Sequence, residues 1–438
     1  MTGRVIGAVD AARVGTEVPG GQEPLNLWQD RLGHQHAELR SAPHRGEPSM
    51  DRVVGPLETA WRASDDPASL TQEALARPNP FIEPDPDDPE LALWTWTVED
   101  AEARAVVLWT NPVFDHADVA KAEFTRLPGS DLWTICLRLP AALRGSYRIG
   151  SWREDGPAPW RATTGRRPVI LAAMGSSTAD PRCLDVVHGS GDEPSSVASG
   201  PRAPRELWRG LAQPADITSQ VDDLPLPHGE RAWVYSPGVG TATPLLVLYD
   251  GQVWRRMGLP ALLDAAIGAG VLPPLHVALV DSGDQPHRWA TLGVPGGQVD
   301  VVIDELLPRV RAGWHVDPAT TLVSGQSLGG IAALWTLALS GGEVQHAIAQ
   351  SASLWRFDVV EALMREPAWA SIELQAGTFE GDMLEDARAL AATLGADPRT
   401  AGRHVRCTGY EAGHDWAVWR ANLFSALALH LRDQRDPD

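Results

Sequence analysis

The sequence predicts a small all-β domain followed by a larger α/β domain whose sheet is mostly parallel. The chain has 438 residues, which exceeds the roughly 250 to 300 residues at which a single core stops growing. Short alternating runs rich in aromatic and β-branched residues occupy the first half. From residue 231 onward, apolar strand-like runs alternate with helix-like runs, and this alternation is typical of a parallel sheet covered by helices on both faces.

The first 50 residues predict no stable fold. Residues 1–50 are rich in Gly, Pro, Arg, His and Glu and show no sustained hydrophobic periodicity. A segment of this composition cannot bury enough apolar surface to offset the entropy lost on folding. We therefore expect a disordered N-terminal extension.

Residues 51–155 predict an N-terminal helix and a β-sandwich of the immunoglobulin-like kind. The helical pattern covers residues 57–76, and a Pro/Asp-rich break follows it. Short strand-like runs then come at regular intervals and are separated by turn residues. These runs are residues 94–97, 105–109, 132–137 and 146–149.

The next segment predicts a connection between two domains. Residues 156–227 are dense in Pro, Gly, Ser and Asp and poor in periodic structure, so we interpret them as a linker that partly wraps over the surface. Residues 228–438 form the predicted α/β domain.

The most informative motif of the second domain is the pentapeptide Gly325–Gly329, in which Ser327 lies between two glycines. A β-branched run at residues 320–323 precedes it and a helix-like run at residues 331–339 follows it. A G-x-S-x-G sequence at a strand-to-helix junction is the form of a nucleophile elbow. The pentapeptide alone is a weak signal, but this context predicts an α/β-hydrolase fold with Ser327 as the nucleophile.

A serine nucleophile needs a base, and that base is usually a histidine oriented by a carboxylate. In α/β-hydrolases the chain order is serine, acid, histidine. His414 fits the base because it lies between a predicted strand and the last predicted helix. The other downstream histidines, His346, His404 and His430, fall within predicted strands or helix, where a structural histidine is the commoner role.

The acid is expected in the loop after the strand at residues 372–375. Glu380 and Asp382 both lie there, and either could instead cap the helix that begins near Met383. The residues alone leave both candidates open.

An oxyanion hole requires two backbone N–H groups near the nucleophile. One is expected from Leu328, the residue after the nucleophile. The other is expected from Gln252, which follows a glycine at the end of the first strong apolar run of this domain.

Charge and cysteine content exclude several classes of function. A net charge of -20 argues against general affinity for nucleic acid or an anionic membrane surface, so an anionic ligand would need a local basic pocket. The three cysteines have no metal-ligand spacing, and no apolar run reaches the length of a membrane span or a signal peptide. We expect a cytoplasmic monomer or homodimer that has no metal site of its own.

Several motifs together resemble the enterochelin (ferric enterobactin) esterases, in the esterase D-like branch of the α/β-hydrolases. The resemblance covers roughly residues 85–432. The motifs that carry it in the α/β domain are Asp250-Gly251-Gln252-Val253-Trp254, Pro286-His287-Arg288, Gly325-Gln326-Ser327-Leu328-Gly329-Gly330, Ser351-Ala352-Ser353-Leu354-Trp355, Ala376-Gly377 with Glu380, and Gly413-His414-Asp415 with Trp419-Arg420. Gly129-Ser130-Asp131-Leu132-Trp133 and Arg144-Gly145-Ser146-Tyr147 resemble the N-terminal domain of the family.

The resemblance implies hydrolysis of the trilactone esters of an iron(III)-catecholate siderophore, with iron entering only as part of the substrate and no cofactor. On the family pattern the acid position falls on Glu380. Where the family has a second tryptophan after Trp355, this chain has Arg356. The sandwich domain, which has no catalytic set of its own, is expected to form part of the wall of the pocket.

A ferric tris-catecholate is a large anion with flat aromatic rings, so it calls for cationic groups and aromatic faces. Candidates for substrate binding are Arg288, Arg356, Trp254 and Trp355. Two alternatives stay open. One is an esterase D-like hydrolase or acyltransferase acting on another ester or thioester, and the other is a noncatalytic siderophore-binding protein.

Overall fold

The structure is a computed structural model that describes residues 26–39, 50–189, 191, 193–212, 219–365 and 368–432. It contains an N-terminal β-hairpin, a two-sheet β-sandwich and an α/β domain. Within these residues, none of the helices combines the length and the apolar character needed to cross a bilayer.

The N-terminal hairpin consists of β1 (Leu27–Gln29) and β2 (Gln35–Ala37), which pair antiparallel. The buried Asp30 carboxylate accepts two backbone N–H bonds and lies 2.8 Å from Nε2 of His36. The His36 ring contacts Trp335 of the α/β domain with centroids 4.8 Å apart. The predicted disorder of residues 1–50 is therefore wrong for residues 26–39 and for Met50, which is buried, and residues 1–25 and 40–49 lie outside the described residues.

Among the described residues, the sandwich domain contains nine strands and three α-helices. In chain order these are β3 (Arg52–Val53), α1 (Pro56–Ala63), α2 (Pro67–Ala76), β4 (Phe81–Pro84), β5 (Leu91–Glu99), β6 (Ala105–Thr110), β7 (Thr125–Arg126), β8 (Leu132–Pro140), β9 (Arg144–Trp152), α3 (Arg166–Gly175), β10 (Val186–Val187) and β11 (Ser195–Ser199). One sheet has the order β3-β8-β5-β4 with β7 beside β8, and the other has the order β10-β11-β9-β6.

Aromatic side chains fill the space between the two sheets. Trp94 stacks on Trp96 with ring centroids 6.1 Å apart, and Trp96 meets Tyr147 edge-on at 5.7 Å. All three are at most 1% exposed. Such rings bury a large area and favour offset or edge-to-face contacts, which explains why the tryptophan-rich runs of the sequence form this core.

The predicted linker at residues 156–227 differs most from the structure. Helix α3 packs on this domain, and β11 pairs antiparallel with β9 through Val197 opposite Ser146. These residues therefore complete the second sheet of the sandwich. The connection between the domains is confined to the stretch between β11 and the first strand of the α/β domain. The sequence of β11, SSVAS, lacks the apolar alternation by which a strand is recognised.

In residues 219–365 and 368–432, the α/β domain contains eight strands and nine α-helices. They are β12 (Gln220–Pro225), β13 (Arg231–Ser236), β14 (Thr243–Leu248), α4 (Gly251–Arg256), α5 (Leu259–Gly268), β15 (His276–Val280), α6 (Gln285–Thr291), α7 (Gln298–Val301), α8 (Leu307–Gly313), β16 (Val316–Gln326), α9 (Leu328–Leu339), β17 (His346–Gln350), α10 (Val360–Arg365), β18 (Ser371–Gly377), α11 (Met383–Ala396), β19 (His404–Tyr410) and α12 (Trp416–Arg432). A π-helical turn at Val302–Leu306 joins α7 to α8.

The eight strands form one sheet with the order β12-β13-β15-β14-β16-β17-β18-β19. The first two are antiparallel to their neighbours and the other six run parallel. A hydrophobic core lies on each face of the sheet, so the central strands are buried on both sides. This confirms the predicted α/β-hydrolase fold with a preceding sandwich. The carboxyl ends of the parallel strands meet at one edge, where such sheets bind their ligands.

Candidate active site

Ser327 lies at the tip of a strained turn between β16 and α9. Its φ and ψ are 58° and -115°, a region that residues other than glycine rarely adopt. A side chain at Gly325 would overlap the carbonyl oxygen of Gly329, and one at Gly330 would lie 2.9 Å from the Cα of Ala352. Small residues at these positions therefore let strand and helix approach closely enough to project the serine.

His414 and Glu380 form a close pair beside this turn. Nδ1 of His414 lies 2.6 Å from Oε2 of Glu380. An ionised carboxylate only accepts hydrogen bonds, so Nδ1 carries the proton and Nε2 is left as the basic nitrogen. The Glu380 side chain is fully buried, whereas the His414 side chain is 31% exposed.

Two further groups hold the Glu380 carboxylate. Its Oε1 accepts the backbone N–H of Gly377 at 2.6 Å and the hydroxyl of Ser351 at 2.7 Å. The Ser351 hydroxyl in turn accepts the indole N–H of Trp419 at 2.8 Å. The rings of His414 and Trp419 lie nearly at right angles, with centroids 4.7 Å apart. The pair is thus fixed from both ends.

Asp382, the other candidate acid, lies elsewhere. It occupies the N-cap position of α11 and lines a separate cavity that also includes Asp386. The structure therefore brings Glu380, and not Asp382, to His414.

A cavity of about 700 Å³ opens above Ser327 and His414, and both domains line it. The sandwich side contributes Trp109, Asn111, Ser146, Arg148, Met174, Val187, Gly189, Gly191, Glu193 and Ser195. The α/β side contributes, besides Ser327 and His414, Asp250, Gln252, Val253, Arg256, Gly283, Asp284, Gln285, Arg288, Asp415, Trp416 and Trp419. Pockets of this size hold ligands as large as a drug molecule or larger.

The two predicted oxyanion donors both lie at helix starts. Leu328 is the first residue of α9, and Gln252 is the second residue of α4. Backbone N–H groups in the first turn of a helix have no acceptor within that helix. The Gln252 side chain bonds with Ser282 and Gly283, which anchors α4 to the loop after β15.

Arg288 lines the cavity, but its guanidinium is engaged by a carboxylate. Its Nε and Nη2 donate to the two oxygens of Asp250, each at 2.8 Å, and Nη2 also donates to the carbonyl of Gln326 at 3.2 Å. Burial lowers the pKa of Arg288, but the Asp250 charge more than offsets this and raises that pKa above its ordinary value. The arginine thus braces the segment that leads into α4.

Trp254, predicted to bind substrate, is a core residue. It is fully buried, does not line the cavity, donates its indole N–H to the side chain of Gln326 at 3.2 Å and meets Trp416 edge-on. That prediction is wrong because Trp254 lies on the inner face of α4, against the sheet.

Arg356 and Trp355 are likewise outside the catalytic cavity. Arg356 is 3% exposed, donates to the carbonyls of Leu292 and Trp289 and pairs with Glu38 at 3.3 Å. The ion pair between Arg356 and Glu38 therefore links the N-terminal hairpin to the α/β domain. Trp355 lines the same separate cavity as Asp382. Neither prediction of a substrate contact in the catalytic cavity holds.

Two cationic residues of the cavity were not identified from the sequence. Arg148 on β9 donates to the hydroxyl of Ser195 at 2.8 Å and to the carbonyl of Glu193. Arg256 on α4 donates to the carbonyl of Gly191 at 3.0 Å. Burial lowers the pKa of Arg148 from its ordinary value, but an arginine remains charged at neutral pH. The available signals were the place of Arg148 in a strand of the domain expected to form part of the pocket wall, and the place of Arg256 two residues after the motif that ends at Trp254.

No group of three or more His, Cys, Asp or Glu side chains in the described ranges is arranged to hold a metal ion.

Two family models match the chain. The one described as "Enterochelin esterase, N-terminal" matches residues 93–209, and the one described as "Putative esterase" matches residues 231–430. The first match covers much of the sandwich domain, including β10 and β11, and the second covers most of the α/β domain.

Curated relatives match over most of their length. An iron(III) enterobactin esterase from Dickeya dadantii is 28% identical over 443 residues, with 89% of this chain and 94% of the relative covered. An iron(III) salmochelin esterase from Escherichia coli O6:H1 is 28% identical over 353 residues, with 74% and 84% covered.

Solved structures share the fold. A ferric enterobactin esterase from Salmonella typhimurium superposes with a TM-score of 0.71 at 24% identity, and the match covers 84% of this chain and 100% of that one. An enterobactin esterase from Shigella flexneri, determined in the presence of enterobactin, gives a TM-score of 0.69 at 23% identity and covers 83% and 98%.

Proposed function

Because this chain belongs to the enterochelin esterase family and is a carboxylic ester hydrolase, we propose that it cleaves the trilactone esters of an iron(III)-catecholate siderophore. The observation that carries the proposal is a single cavity of about 700 Å³ that both domains line and into which Ser327 and His414 open. Relatives named for iron(III) enterobactin and iron(III) salmochelin support the substrate class.

In the proposed mechanism, His414 acts as general base toward Ser327. Nε2 of His414 takes the hydroxyl proton as Oγ attacks an ester carbonyl of the siderophore. Glu380 stays ionised, holds the proton on Nδ1 and stabilises the imidazolium that forms. The 2.6 Å contact between Nδ1 and Oε2 supports these assignments.

The negative charge that develops on the carbonyl oxygen needs donors at the right place. We assign these to the backbone N–H groups of Leu328 and Gln252, which belong to the first turns of α9 and α4. Collapse of the tetrahedral intermediate then passes the His414 proton to the leaving serine alcohol of the trilactone and opens its ring. A water molecule, deprotonated by His414, releases the acyl group from Ser327 in the second half of the cycle.

The cavity wall carries three arginines that can attract an anionic substrate despite the net charge of -20, and they lie among the carboxylates of Asp250, Asp284, Glu193 and Asp415. Asp250 is paired with Arg288, and Asp415 accepts two backbone N–H groups. Arg148 and Arg256 face the same space and donate to neutral oxygens of Ser195, Glu193 and Gly191. We propose that these two arginines, one from each domain, attract the ferric catecholate.

The proposed function also specifies the cofactor requirement and the cellular location of the enzyme. Iron enters as part of the substrate, and catalysis uses no cofactor. We propose a cytoplasmic enzyme that meets the siderophore after uptake.

The test compares four substrates with the purified protein. We expect kcat/KM for a ferric tris-catecholate trilactone to exceed that for a 4-nitrophenyl ester by about a hundredfold or more, because binding energy remote from the scissile bond is used in the transition state. The metal-free trilactone and an acyl thioester complete the series, and linear products, each with one water added per ester cut, are resolved by mass spectrometry. A faster reaction with the thioester or the aryl ester would favour the other-substrate hypothesis. Binding of the trilactone without turnover would favour a noncatalytic protein.

A further inference from the structure

The loop that carries His414 is bonded to the sandwich domain. Nδ2 of Asn111, just after β6, donates to the carbonyl of His414 at 3.0 Å. The backbone N–H of Ser146 on β9 donates to Oδ2 of Asp415 at 2.5 Å. Two strands of the other domain therefore bond to the histidine itself and to the residue that follows it.

The segment after β6 and strand β9 also pack tightly against the loop. Pro112 lies between Gly413 of the loop and Gly145 of β9. A Cβ added to Gly413 would come within 2.8 Å of the Cα of Pro112, and one added to Gly145 would come within 2.5 Å of its Cγ. Real Cβ atoms do not approach so closely, so both glycines are required by this interface.

A third hydrogen bond between the sandwich and the loop joins two backbone groups at the start of the loop. The N–H of Arg144 donates to the carbonyl of Glu411 at 3.1 Å. From its own domain the loop receives the N–H of Phe379, which donates to the carbonyl of Ala412 at 3.0 Å. The α/β domain also contacts the loop through the Thr378 hydroxyl, which donates to Glu411, and through Glu380 at the His414 ring. The sandwich adds hydrogen bonds at the beginning and the end of the loop.

From this geometry we propose that the sandwich domain positions the histidine base, with Asn111 and the bond between Ser146 and Asp415 as the positioning contacts. The inference rests on the proposed role of His414. It goes beyond the expectation that the sandwich forms a wall for a bulky substrate. A wall affects only ligands large enough to touch it, whereas a misplaced base slows every ester.

Substitution of Asn111 separates these roles. Asn111→Ala removes the amide, and Asn111→Asp keeps its size but removes the N–H donor. We expect both to lower kcat for a 4-nitrophenyl ester about tenfold with little change in KM, since a small displacement of a catalytic group costs one to two orders of magnitude. Labelling of Ser327 by a fluorophosphonate, which also needs the base, should slow by a similar factor. Asp415→Asn, which weakens the second contact, is expected to act in the same direction.

Asn79→Ala is the matched control. The Asn79 amide is also buried in the sandwich, but it donates to the carbonyl of Thr97 at 3.2 Å and to Asp180 at 2.6 Å, neither of which belongs to the histidine loop. This variant should lower the Tm and leave kcat per labelled active site unchanged. Rates are therefore normalised to the fraction of protein that a fluorophosphonate labels at completion.

An unchanged kcat and labelling rate in folded Asn111→Ala and Asp415→Asn would overturn the inference. So would an effect confined to KM for the ferric trilactone, because that is the signature of a wall. If wild-type protein hydrolyses the aryl ester but not the trilactone, the proposed substrate fails while this test stands. If it hydrolyses neither ester, the rates at which a fluorophosphonate labels Ser327 in wild type and in the variants still test the inference.

Discussion

The Glu380 carboxylate determines what the His414 imidazole can do. Its Oε2 faces Nδ1, while its Oε1 accepts hydrogen bonds from Ser351 and Gly377. A buried carboxylate with these partners is held in one orientation, and the imidazole is held with it. Ser351 itself adopts a positive φ of 46°, a strained conformation that its neighbours must maintain.

Replacing Glu380 by Gln tests the acid. We expect Glu380→Gln to lower kcat about a thousandfold, because the amide keeps the shape but neither stabilises the imidazolium nor enforces the proton on Nδ1. Steady-state rates on a 4-nitrophenyl ester give the answer without the siderophore. Asp382→Asn is the matched control and should retain nearly full activity. Loss of activity in the control and not in Glu380→Gln would reverse the assignment.

At this scale the sequence predicts roles that follow from chain order, but not roles that depend on which way a side chain faces. Glu380 became the better candidate only through the resemblance to a family, since Asp382 is two residues away. Trp254 and Arg356 carry suitable groups, but both side chains point into the interior. Arg148 was missed for the opposite reason, because its place in the cavity depends on how two distant segments pack.

At the scale of single elements, the elbow between β16 and α9 determines the position of Ser327. A Cβ at Gly325 would overlap backbone atoms of Gly329, so Gly325→Ala must push strand and helix apart. We expect the free energy of unfolding to fall by about 2 to 4 kcal/mol and kcat to fall at least a hundredfold, roughly the cost of a 1 Å displacement. Urea unfolding and aryl ester hydrolysis measure the two effects.

Gly395→Ala provides the comparison. Gly395 lies near the end of α11, is exposed, and has no heavy atom within 4 Å of the position its Cβ would take. It should stabilise the protein by about 0.5 kcal/mol. If Gly325→Ala proved as stable and active as wild type, that result would contradict the claim that β16 and α9 are too close to admit a side chain at Gly325.

The buried first residue of β17 makes stability depend on pH. His346 is 8% exposed and lies 2.7 Å from the hydroxyl of Ser371. Burial, with a smaller effect of His430, lowers the pKa of His346 from 6.5 to about 4. Between these values the unfolded chain binds a proton that the folded protein does not, so the free energy of unfolding decreases as the pH falls from about 6.5 to about 4.

We expect this residue to account for a loss of about 3 kcal/mol across that pH range. His346→Gln should flatten the pH dependence of urea unfolding by a comparable amount. His404→Gln is the control, since His404 lies in the adjacent part of the sheet but is exposed. Equal pH profiles for wild type and His346→Gln would contradict the prediction.

The elements that the sequence predicts well are those with strong periodicity. The central strand β14 is mostly apolar, β16 contains a buried β-branched run at residues 320–323, and the buried helix α9 is apolar on nearly all sides. Strands β10 and β11 escaped prediction because one has two residues and the other is mostly serine. Their pairing depends on the neighbouring β9 rather than on their own pattern.

At the scale of the whole molecule, the catalytic cavity is lined by residues of both domains. The sandwich contributes the side chain of Arg148 to the cavity and holds the histidine loop, and the α/β domain contributes Ser327 and Glu380. The N-terminal hairpin adds a further contact through the ion pair between Glu38 and Arg356. The sequence predicts the two domains but not these contacts, because contacts between segments that are hundreds of residues apart leave no local pattern.

Arg148→Ala tests the contribution of the sandwich to substrate recognition. We expect KM for a ferric tris-catecholate to rise roughly tenfold, and more so at low ionic strength, because a long-range attraction to a trianion is lost. KM for a neutral aryl ester should change little. Arg104→Ala, which removes an exposed arginine of the same domain paired with Asp155, should change neither value. An equal rise for both esters would contradict a role in charge recognition.

The account as a whole depends on Ser327 as the nucleophile that opens the trilactone. Purified wild type and Ser327→Ala are incubated with a ferric tris-catecholate trilactone, and linear products are resolved by mass. We predict cleavage by wild type and a rate at least about a thousandfold lower for Ser327→Ala. Ser353→Ala runs alongside, because its hydroxyl lies 3.5 Å from that of Ser327. Equal turnover by wild type and Ser327→Ala, or turnover that depends on Ser353 instead, would contradict the account.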